Sequence, residues 1–106
     1  MAKAIEMTDA NFEEVIKSEK PILVDFWAEW CVPCKTLGPL LEKLTQEAHG
    51  AFRLAKVDVD QNQTLAMRYN VRSIPTVKAF RNGAVVSEFV GLRPEPALRE
   101  FLSELA

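Results

Sequence analysis

The sequence predicts one α/β domain over residues 1–106, in which a central mixed sheet is flanked by helices on both faces. In the first two thirds of the chain, apolar runs that fit buried strands alternate with segments of helical periodicity. An Asn-Gly pair then joins two further strands, and a final amphipathic segment follows them. Strand–helix–strand units pair their strands in parallel and the hairpin adds antiparallel strands, so the predicted sheet is mixed.

The first predicted helix and the first predicted strand lie on either side of Pro21. Thr8 is a suitable N-cap, and the apolar spacing after it predicts a short amphipathic helix over residues 8–18. Residues 22–27 are apolar on both alternating faces except at Asp25. This pattern predicts a central strand that is covered on both sides.

Helical and strand patterns alternate again in the middle of the chain. Apolar residues at helical spacing predict a helix over residues 34–49, with Pro39 as a site of kinking and Gly50 as the C-terminal cap. Alternation predicts a second strand over residues 52–59, and a short helix is predicted over residues 63–69. These elements complete the parallel part of the sheet.

The last third of the chain predicts a hairpin and a helix. Two strands, over residues 76–80 and 85–90, are separated by Arg-Asn-Gly at residues 81–83, a strong signal for a tight turn. Lys78 interrupts the first of these strands, and we expect its aliphatic stem to reach an edge of the sheet. Residues 94–105 predict a closing amphipathic helix.

Charge and composition argue against several classes of function. The formal net charge is -2 and no basic stripe is present, which argues against a general nucleic-acid-binding protein. No apolar run has the length of a membrane span, and residues 1–7 lack the pattern of a signal peptide. We therefore expect a cytoplasmic protein that binds neither nucleic acid nor membranes. Structural disulfides are unusual in that compartment, so the two cysteines indicate catalysis or metal binding.

The two cysteines stand where thiol chemistry is favoured. Cys31 and Cys34 directly follow the predicted central strand and open the next helix. Unpaired N–H groups and the macrodipole at a helix N-terminus stabilise a thiolate, so Cys31 is the predicted nucleophile. Cys34 lies one turn further in, less exposed, and is predicted to resolve a mixed disulfide by attacking Cys31. A reaction of this kind needs a base that takes the proton of Cys34.

Asp25 is the candidate base. A carboxylate within an apolar strand is costly, and burial is expected to raise its pKa. The alternative is a buried aspartate that only satisfies a structural hydrogen bond. Lys56, on the adjacent predicted strand, is a candidate partner that moderates the shift, although a strand lysine is often simply solvated.

Two other interpretations of these residues stay open. A Cys-x-x-Cys pair can be half of a zinc site, but structural zinc needs four ligands, and beyond Cys31 and Cys34 the chain offers only His49. A zinc site shared between two copies is therefore an alternative. Trp30, beside the nucleophile, is interpreted as part of a partly exposed contact surface rather than of the core.

Several runs, in this order along nearly the whole chain, resemble the thioredoxin family. They are VDFWAEWC at residues 24–31, PCK at 33–35, KVD at 56–58, IPT at 74–76 and the last strand with its exit glycine at 85–91. The resemblance implies a thioredoxin fold and a protein-disulfide reductase, an oxidoreductase that carries electrons through its dithiol. The first residue between the cysteines, usually glycine in the family, is valine here.

The resemblance also implies properties that spacing alone does not predict. Pro75 would follow a cis bond and lie against the cysteine pair, and the Ile74 backbone would pair with an extended substrate segment. Val32 and Pro33 would tune the redox potential. An apolar docking surface would comprise Trp30, Ile74, Pro75, Val90 and Gly91, enlarged by Leu92 where the family usually has a small residue.

The resemblance implies partners as well. Oxidised client proteins would be the substrates, and electrons would come from an NADPH-dependent thioredoxin reductase, so the chain itself would need no bound cofactor. We expect a monomer. Two alternatives remain: a binding or chaperone module that keeps the fold without redox turnover, and a more oxidising disulfide oxidase or isomerase.

Overall fold

A computed structural model describes residues 4–105. The N-terminal residues 1–3, which belong to the segment tested for a signal peptide, lie outside the described residues, as does residue 106. No helix within 4–105 combines the length and the apolar character needed to cross a bilayer. The elements are β1 (Ile5–Glu6), α1 (Phe12–Val15), β2 (Ile22–Trp27), α2 (Val32–Glu47), β3 (Arg53–Asp58), α3 (Gln63–Arg68), β4 (Thr76–Arg81), β5 (Ala84–Val90) and α4 (Glu95–Ser103).

The five strands form one mixed sheet, in the order β1-β3-β2-β4-β5. β3 pairs in parallel with both β1 and β2, whereas β4 pairs antiparallel to β2 and β5. The strand that precedes the cysteines is therefore central, between β3 and β4. The predicted α/β fold with a mixed sheet is confirmed.

Each face of the sheet buries its own apolar cluster. Because side chains alternate along a strand, β2 directs Leu23 and Asp25 to one face and Val24 and Phe26 to the other. The first cluster unites the sheet with α2 and α4 and contains Leu23, Leu37, Leu41, Leu44, Phe52, Leu54, Val77, Ala79, Phe89, Leu98, Phe101 and Leu105. The second cluster contains Met7, Ile16, Ile22, Val24, Phe26, Ala55, Val57, Leu65 and Phe80. Asp25 thus lies on the face that α2 covers.

The N-terminal region differs from the prediction. The strand β1 was not predicted, because two residues are too short to display an alternation. The helix predicted over residues 8–18 is reduced to the single turn of α1, with Asn11 at its N-cap. Thr8 instead caps the preceding turn, since its hydroxyl accepts hydrogen bonds from the N–H groups of Ala10 and Asn11 at 3.2 and 3.3 Å.

The helix after the cysteines begins earlier than its apolar pattern predicts. α2 starts at Val32, with Pro33 in its first turn and Cys34 at its third position, and it continues through Pro39. Its C-cap is Ala48 rather than Gly50. Gly50 lies two residues beyond, where a φ of +87° favours glycine.

The hairpin is confirmed, with one irregularity. Asn82 and Gly83 have φ values of +54° and +85°, as a two-residue type I′ turn requires. The register shifts between Ala79 and Phe80, which marks a bulge in the pairing with β5. Lys78 is 8% exposed, and its ammonium reaches Glu88 on the edge strand β5 at 2.6 Å. The prediction that the Lys78 stem reaches an edge is confirmed.

Candidate active site

The two cysteines lie at the junction between β2 and α2. The Cys31 N–H donates to the carbonyl of Ala28 at 3.1 Å, which closes the turn after the strand. Cys31 is the extended N-cap of α2, and its sulfur accepts a hydrogen bond from the backbone N–H of Cys34 at 3.2 Å. The Cα atoms are 5.3 Å apart, and the sulfurs are joined in a disulfide. A helix start therefore holds a dithiol that can close on itself.

The two cysteines differ in solvent exposure less than the sequence predicts. Cys31 is 4% exposed and Cys34 is 2% exposed, so both are buried in the disulfide form. They pack with Ala28, and Trp27 and other partly buried side chains cover the cluster. What distinguishes Cys31 is its position at the N-cap, where its sulfur accepts a hydrogen bond from the Cys34 N–H, a donor without a partner in the helical backbone.

Exposed side chains flank the buried cysteines. Trp30 is 68% exposed and Val32 is 73% exposed, so the chain on both sides of Cys31 faces solvent. The indole N–H of Trp30 donates to the Asp60 carboxylate at 2.9 Å. Sequence reasoning missed Asp60, although it follows β3 at the edge of the sheet where β2 also ends. The hydrogen bond fixes the orientation of the exposed indole beside Cys31.

The predicted proline loop approaches the cysteines from the other side. The Ile74–Pro75 bond is cis, as expected. Ile74 packs against the cluster that contains both cysteines. Pro75 itself is buried, so it does not add to an exposed surface as predicted. Its carbonyl accepts a hydrogen bond from the Gly91 N–H at 2.8 Å, which joins the proline loop to the end of β5.

A partly apolar groove adjoins this loop. It has a volume of about 580 Å³ and runs between Trp30, Ile74 and α3. Met67 of α3, which sequence reasoning did not single out, lines this groove and is exposed. Val90 and Leu92 are exposed outside its lining. Of the five predicted docking residues, Trp30 and Val90 are exposed, Ile74 and Gly91 are partly buried and Pro75 is buried.

Asp25 is a fully buried carboxyl group on the sheet face beneath α2. Neither carboxyl oxygen has a hydrogen-bond partner among residues 4–105. Burial raises the pKa of Asp25 from 3.8 to about 7, because desolvation disfavours the charged form. Lys56 lowers this pKa and Glu42 raises it further. The alternative of a hydrogen-bonded structural aspartate finds no partner in the described part of the chain.

Lys56 is the partner of Asp25 on β3, but the two form no ion pair. They occupy paired positions of β2 and β3 and therefore share a face. The Lys56 ammonium lies 4.7 Å from the centroid of the Trp27 ring, a cation–π arrangement. The positive charge of Lys56 lowers the pKa of Asp25 without an ion pair. Its role as the partner of Asp25 in the reaction stays a prediction.

The arrangement supports thiol exchange, and within residues 4–105 the two cysteines are not part of a cluster of metal ligands. His49 follows the C-terminal end of α2, whereas Cys31 caps its N-terminus. A helix of 16 residues is about 24 Å long, so His49 is remote from the cysteine pair of its own chain. No group of three potential metal-ligating side chains is found within residues 4–105. The buried carboxyl group is suited to proton transfer, and the paired sulfurs are suited to thiol–disulfide exchange.

Comparison with known proteins gives consistent matches. The family model described as Thioredoxin matches residues 3–104. Mitochondrial thioredoxin of Mus musculus is 50% identical over 93 residues, which make up 88% of this chain and 56% of the relative. Thioredoxin C-2 of Corynebacterium nephridii is 42% identical over 104 residues, 97% of this chain and 96% of the relative. Thioredoxin of Haemophilus influenzae is 42% identical over 105 residues, 98% of each chain. The chain thus spans little more than half of the mitochondrial relative and nearly all of the bacterial ones.

Proposed function

This chain belongs to the thioredoxin family, and we propose that it is a protein-disulfide reductase that works through the Cys31–Cys34 dithiol. The observation that carries the proposal is the pairing of both sulfurs at the start of α2. A disulfide that closes within one helical turn can accept two electrons and return them without large movements of the backbone. The buried carboxyl group of Asp25, on the face beneath the same helix, supports the proposal independently.

The proposed reaction proceeds by two displacements. The Cys31 thiolate attacks one sulfur of a client disulfide, forms a mixed disulfide and releases the other client sulfur as a thiolate. Cys34 loses its proton to the Asp25 carboxylate and attacks the sulfur of Cys31. This second step closes the Cys31–Cys34 disulfide and releases the second client thiol. The client gains two electrons and the dithiol loses two.

Asp25 suits the role of proton acceptor because its pKa is about 7. A base whose pKa lies near the working pH is partly ionised and still basic enough to take a proton. Lys56 would support this role as a nearby cation that favours the ionised carboxylate.

The groove beside Trp30 and Ile74 suits an unfolded or extended client segment. Its exposed walls are largely apolar, and the backbone at Ile74 would pair with the client as an added strand. Trp30, Val90 and Gly91 would contact the client, and Pro75 would shape the loop from its buried position. Val32 and Pro33, between the cysteines, would set how readily the disulfide is reduced.

We further propose that an NADPH-dependent thioredoxin reductase restores the dithiol, that the chain acts as a monomer and one domain, and that it needs no bound cofactor.

A cytoplasmic location is consistent with the bacterial relatives, whereas a mitochondrial relative points to a second reducing compartment. Thiol trapping of the chain in fractionated cells, followed by reductase assays, tests location and electron donor. Recovery of the oxidised chain from a secretory fraction would contradict both assignments.

The test of the reaction uses the two cysteines as matched variants. With dithiothreitol as reductant, the wild type is expected to accelerate insulin precipitation, and Cys31→Ser is expected to lose this activity. Cys34→Ser retains the nucleophile but not the resolving thiol. Reduced beforehand and mixed with insulin without dithiothreitol, it is expected to accumulate a mixed disulfide, visible on a non-reducing gel. Cys31→Ser is the control for trapping and is expected to form no such adduct.

The same assays distinguish the alternatives. If Cys31→Ser precipitates insulin at the wild-type rate, the redox function is wrong and a binding or chaperone module remains. Equilibration with glutathione tests the oxidase or isomerase. A pair that stays reduced in a buffer that oxidises the bacterial relatives would overturn the reductase assignment.

A further inference from the structure

Helix α2 carries a glycine at the point where it passes over Lys56. Gly38 is buried and lies four residues after Cys34, on the same side of the helix. A Cβ atom at Gly38 would lie only 3.2 Å from Lys56 Nζ. Apart from Leu37, Pro39 and the neighbouring helix backbone, no other heavy atom of the described residues lies within 4 Å of that position. A methyl group there would therefore meet the ammonium and little else.

The surroundings of the ammonium decide which way it can move. On one side it is bounded by α2 at Gly38, and it lies 4.7 Å from the centroid of the Trp27 ring. Its open side is a cavity of about 520 Å³ that Lys56 and Trp27 line together with Asp58. The lysine stem is flexible, whereas the helix and the sheet are packed, so the ammonium would yield to added volume by moving into this cavity.

We propose, building on the proposed function, that Gly38 is a positioning residue whose missing side chain keeps the Lys56 ammonium beneath α2 and near Asp25. An ammonium in this place favours the ionised form of Asp25, the form that accepts the proton of Cys34. A methyl group at residue 38 displaces the cation toward the cavity by a few tenths of an ångström, so the cation favours the ionised form of Asp25 less strongly. Gly38 acts only through Lys56 and touches neither the client nor a sulfur.

Substitutions at residue 38 or 56 leave the other charged side chains around Asp25 in place. Glu42 of α2 raises the pKa of Asp25. Glu6 of β1, Asp58 of β3 and Glu29 line the cavity into which the ammonium would move, and Glu6 pairs with Lys56 across β1 and β3. β4 places only an apolar residue opposite Asp25, and α4 contributes apolar side chains to this face. The two cysteines of α2 do not titrate while they are joined in a disulfide. The oxidised protein therefore isolates the effect of Lys56.

The test is a titration of the Asp25 carboxyl carbon by NMR in the oxidised protein, where the wild-type midpoint is expected at about 7. Gly38→Ala is expected to raise the pKa of Asp25 by a small fraction of the rise caused by removing the cation, because the ammonium moves away by a few tenths of an ångström. Lys56→Met is expected to raise it at least as much. Adding Gly38→Ala to Lys56→Met is expected to change nothing further. Gln46→Ala, at an exposed position of α2, is the control and is expected to match the wild type.

A purely structural role for Gly38 gives a different result. Gly38 precedes Pro39, and a Cβ before a proline crowds the proline ring in a helical conformation. Backbone strain of that origin would shift the titration equally with and without Lys56, and this outcome overturns the proposal. An unchanged or lowered pKa in Gly38→Ala also overturns it. Should Gly38→Ala fold poorly, Gly38→Ala/Pro39→Ala removes the crowding and keeps the methyl group against Lys56.

The titration is independent of catalysis, so the two proposals fail separately. If Cys31→Ser remains active while the Asp25 titration follows the expectation, the reductase function is wrong and the positioning role stands. If the cysteine variants behave as expected but Gly38→Ala leaves the titration unchanged, only the positioning role is wrong. In the kinetic counterpart, the pH midpoint for release of insulin from the mixed disulfide is expected to rise in Gly38→Ala.

Discussion

At the scale of the residue, the carboxyl group of Asp25 is buried and, in the part of the chain that the structure describes, lacks the hydrogen bonds that buried polar groups normally make. Within residues 4–105 it has no hydrogen-bond partner, and it is shielded from solvent on a central strand. Lys56 offsets part of the desolvation cost but stands too far away to form an ion pair. Such a group is retained at a cost in stability, which is typical of functional sites.

The folding stability is expected to fall as pH rises from about 4 to 7. Unfolded, Asp25 ionises near its ordinary pKa of 3.8, whereas in the fold its pKa is about 7. Between these values the folded state holds the extra proton, so increasing pH favours unfolding. Above pH 7 the full cost in folding free energy is present. The difference between the two pKa values corresponds to roughly 4 kcal/mol as an upper bound. Below pH 4 both states are protonated and the group contributes no penalty.

Asp25→Asn removes the charge but keeps the size of the side chain. Oxidised Asp25→Asn is therefore expected to be more stable than the oxidised wild type at pH 8, by a few kcal/mol, and to match it below pH 4. Urea unfolding at several pH values measures the difference. Glu100→Gln, at an exposed site, is the matched control and is expected to show no such trend. An equal gain for Asp25→Asn at pH 3.5 and pH 8 would contradict the titration argument.

At the scale of the element, the β4–β5 hairpin depends on its turn and on one cross-strand pair. Gly83 has a φ of +85°, and apart from Gly83 and its two chain neighbours no atom of residues 4–105 lies within 4 Å of where its Cβ would be. Gly83→Ala is therefore expected to destabilise the protein by about 1–2 kcal/mol through backbone conformation alone. Asn82→Gly preserves the turn geometry and is expected to cost much less. Urea unfolding of both variants checks the comparison, and equal losses would contradict it.

Lys78 and Glu88 occupy paired positions on the same two strands. Lys78 is buried and Glu88 is about half exposed, so solvent screens part of their attraction. Glu88→Gln is expected to lower stability by about 1 kcal/mol, because it weakens the pairing of a buried ammonium. In a Lys78→Met background the same change is expected to have little effect. Equal losses in the two backgrounds, measured by urea unfolding, would exclude a coupling between the two residues.

At the scale of the whole molecule, one sheet separates two apolar clusters that share its central strands. A loss of packing on either face must disturb β2, so the two faces are expected to unfold together. Leu41→Ala on one face and Leu65→Ala on the other are each expected to cost about 2–5 kcal/mol. In both variants, fluorescence and circular dichroism are expected to give coincident transitions. Separate transitions would contradict the single domain proposed over residues 1–106.

Much of this fold could be predicted because its signals are local. The limits of β2 agree with the prediction to the residue, since its apolar run is bounded by Pro21 and by the turn before Cys31. The Asn82-Gly83 turn was predicted for the same reason. β1 depends on its pairing with β3, which is distant in sequence, and no local pattern indicates this strand. The bulge beside Phe80 lies within the hairpin itself, but the apolar alternation of β4 and β5 does not indicate it. The shortening of α1 reflects a competing turn at Thr8.

The same distinction between local and long-range signals applies to the candidate site. The sequence by itself determined that Cys31 and Cys34 open a helix and that Asp25 interrupts an apolar strand, because spacing and periodicity are properties of neighbouring residues. Only the tertiary structure decided that Ile74 packs on the cysteines, that Asp60 holds the Trp30 indole, and that α2 passes so close to Lys56 at Gly38. These contacts depend on how strands and helices far apart in sequence pack, and packing distances are not encoded by any single segment.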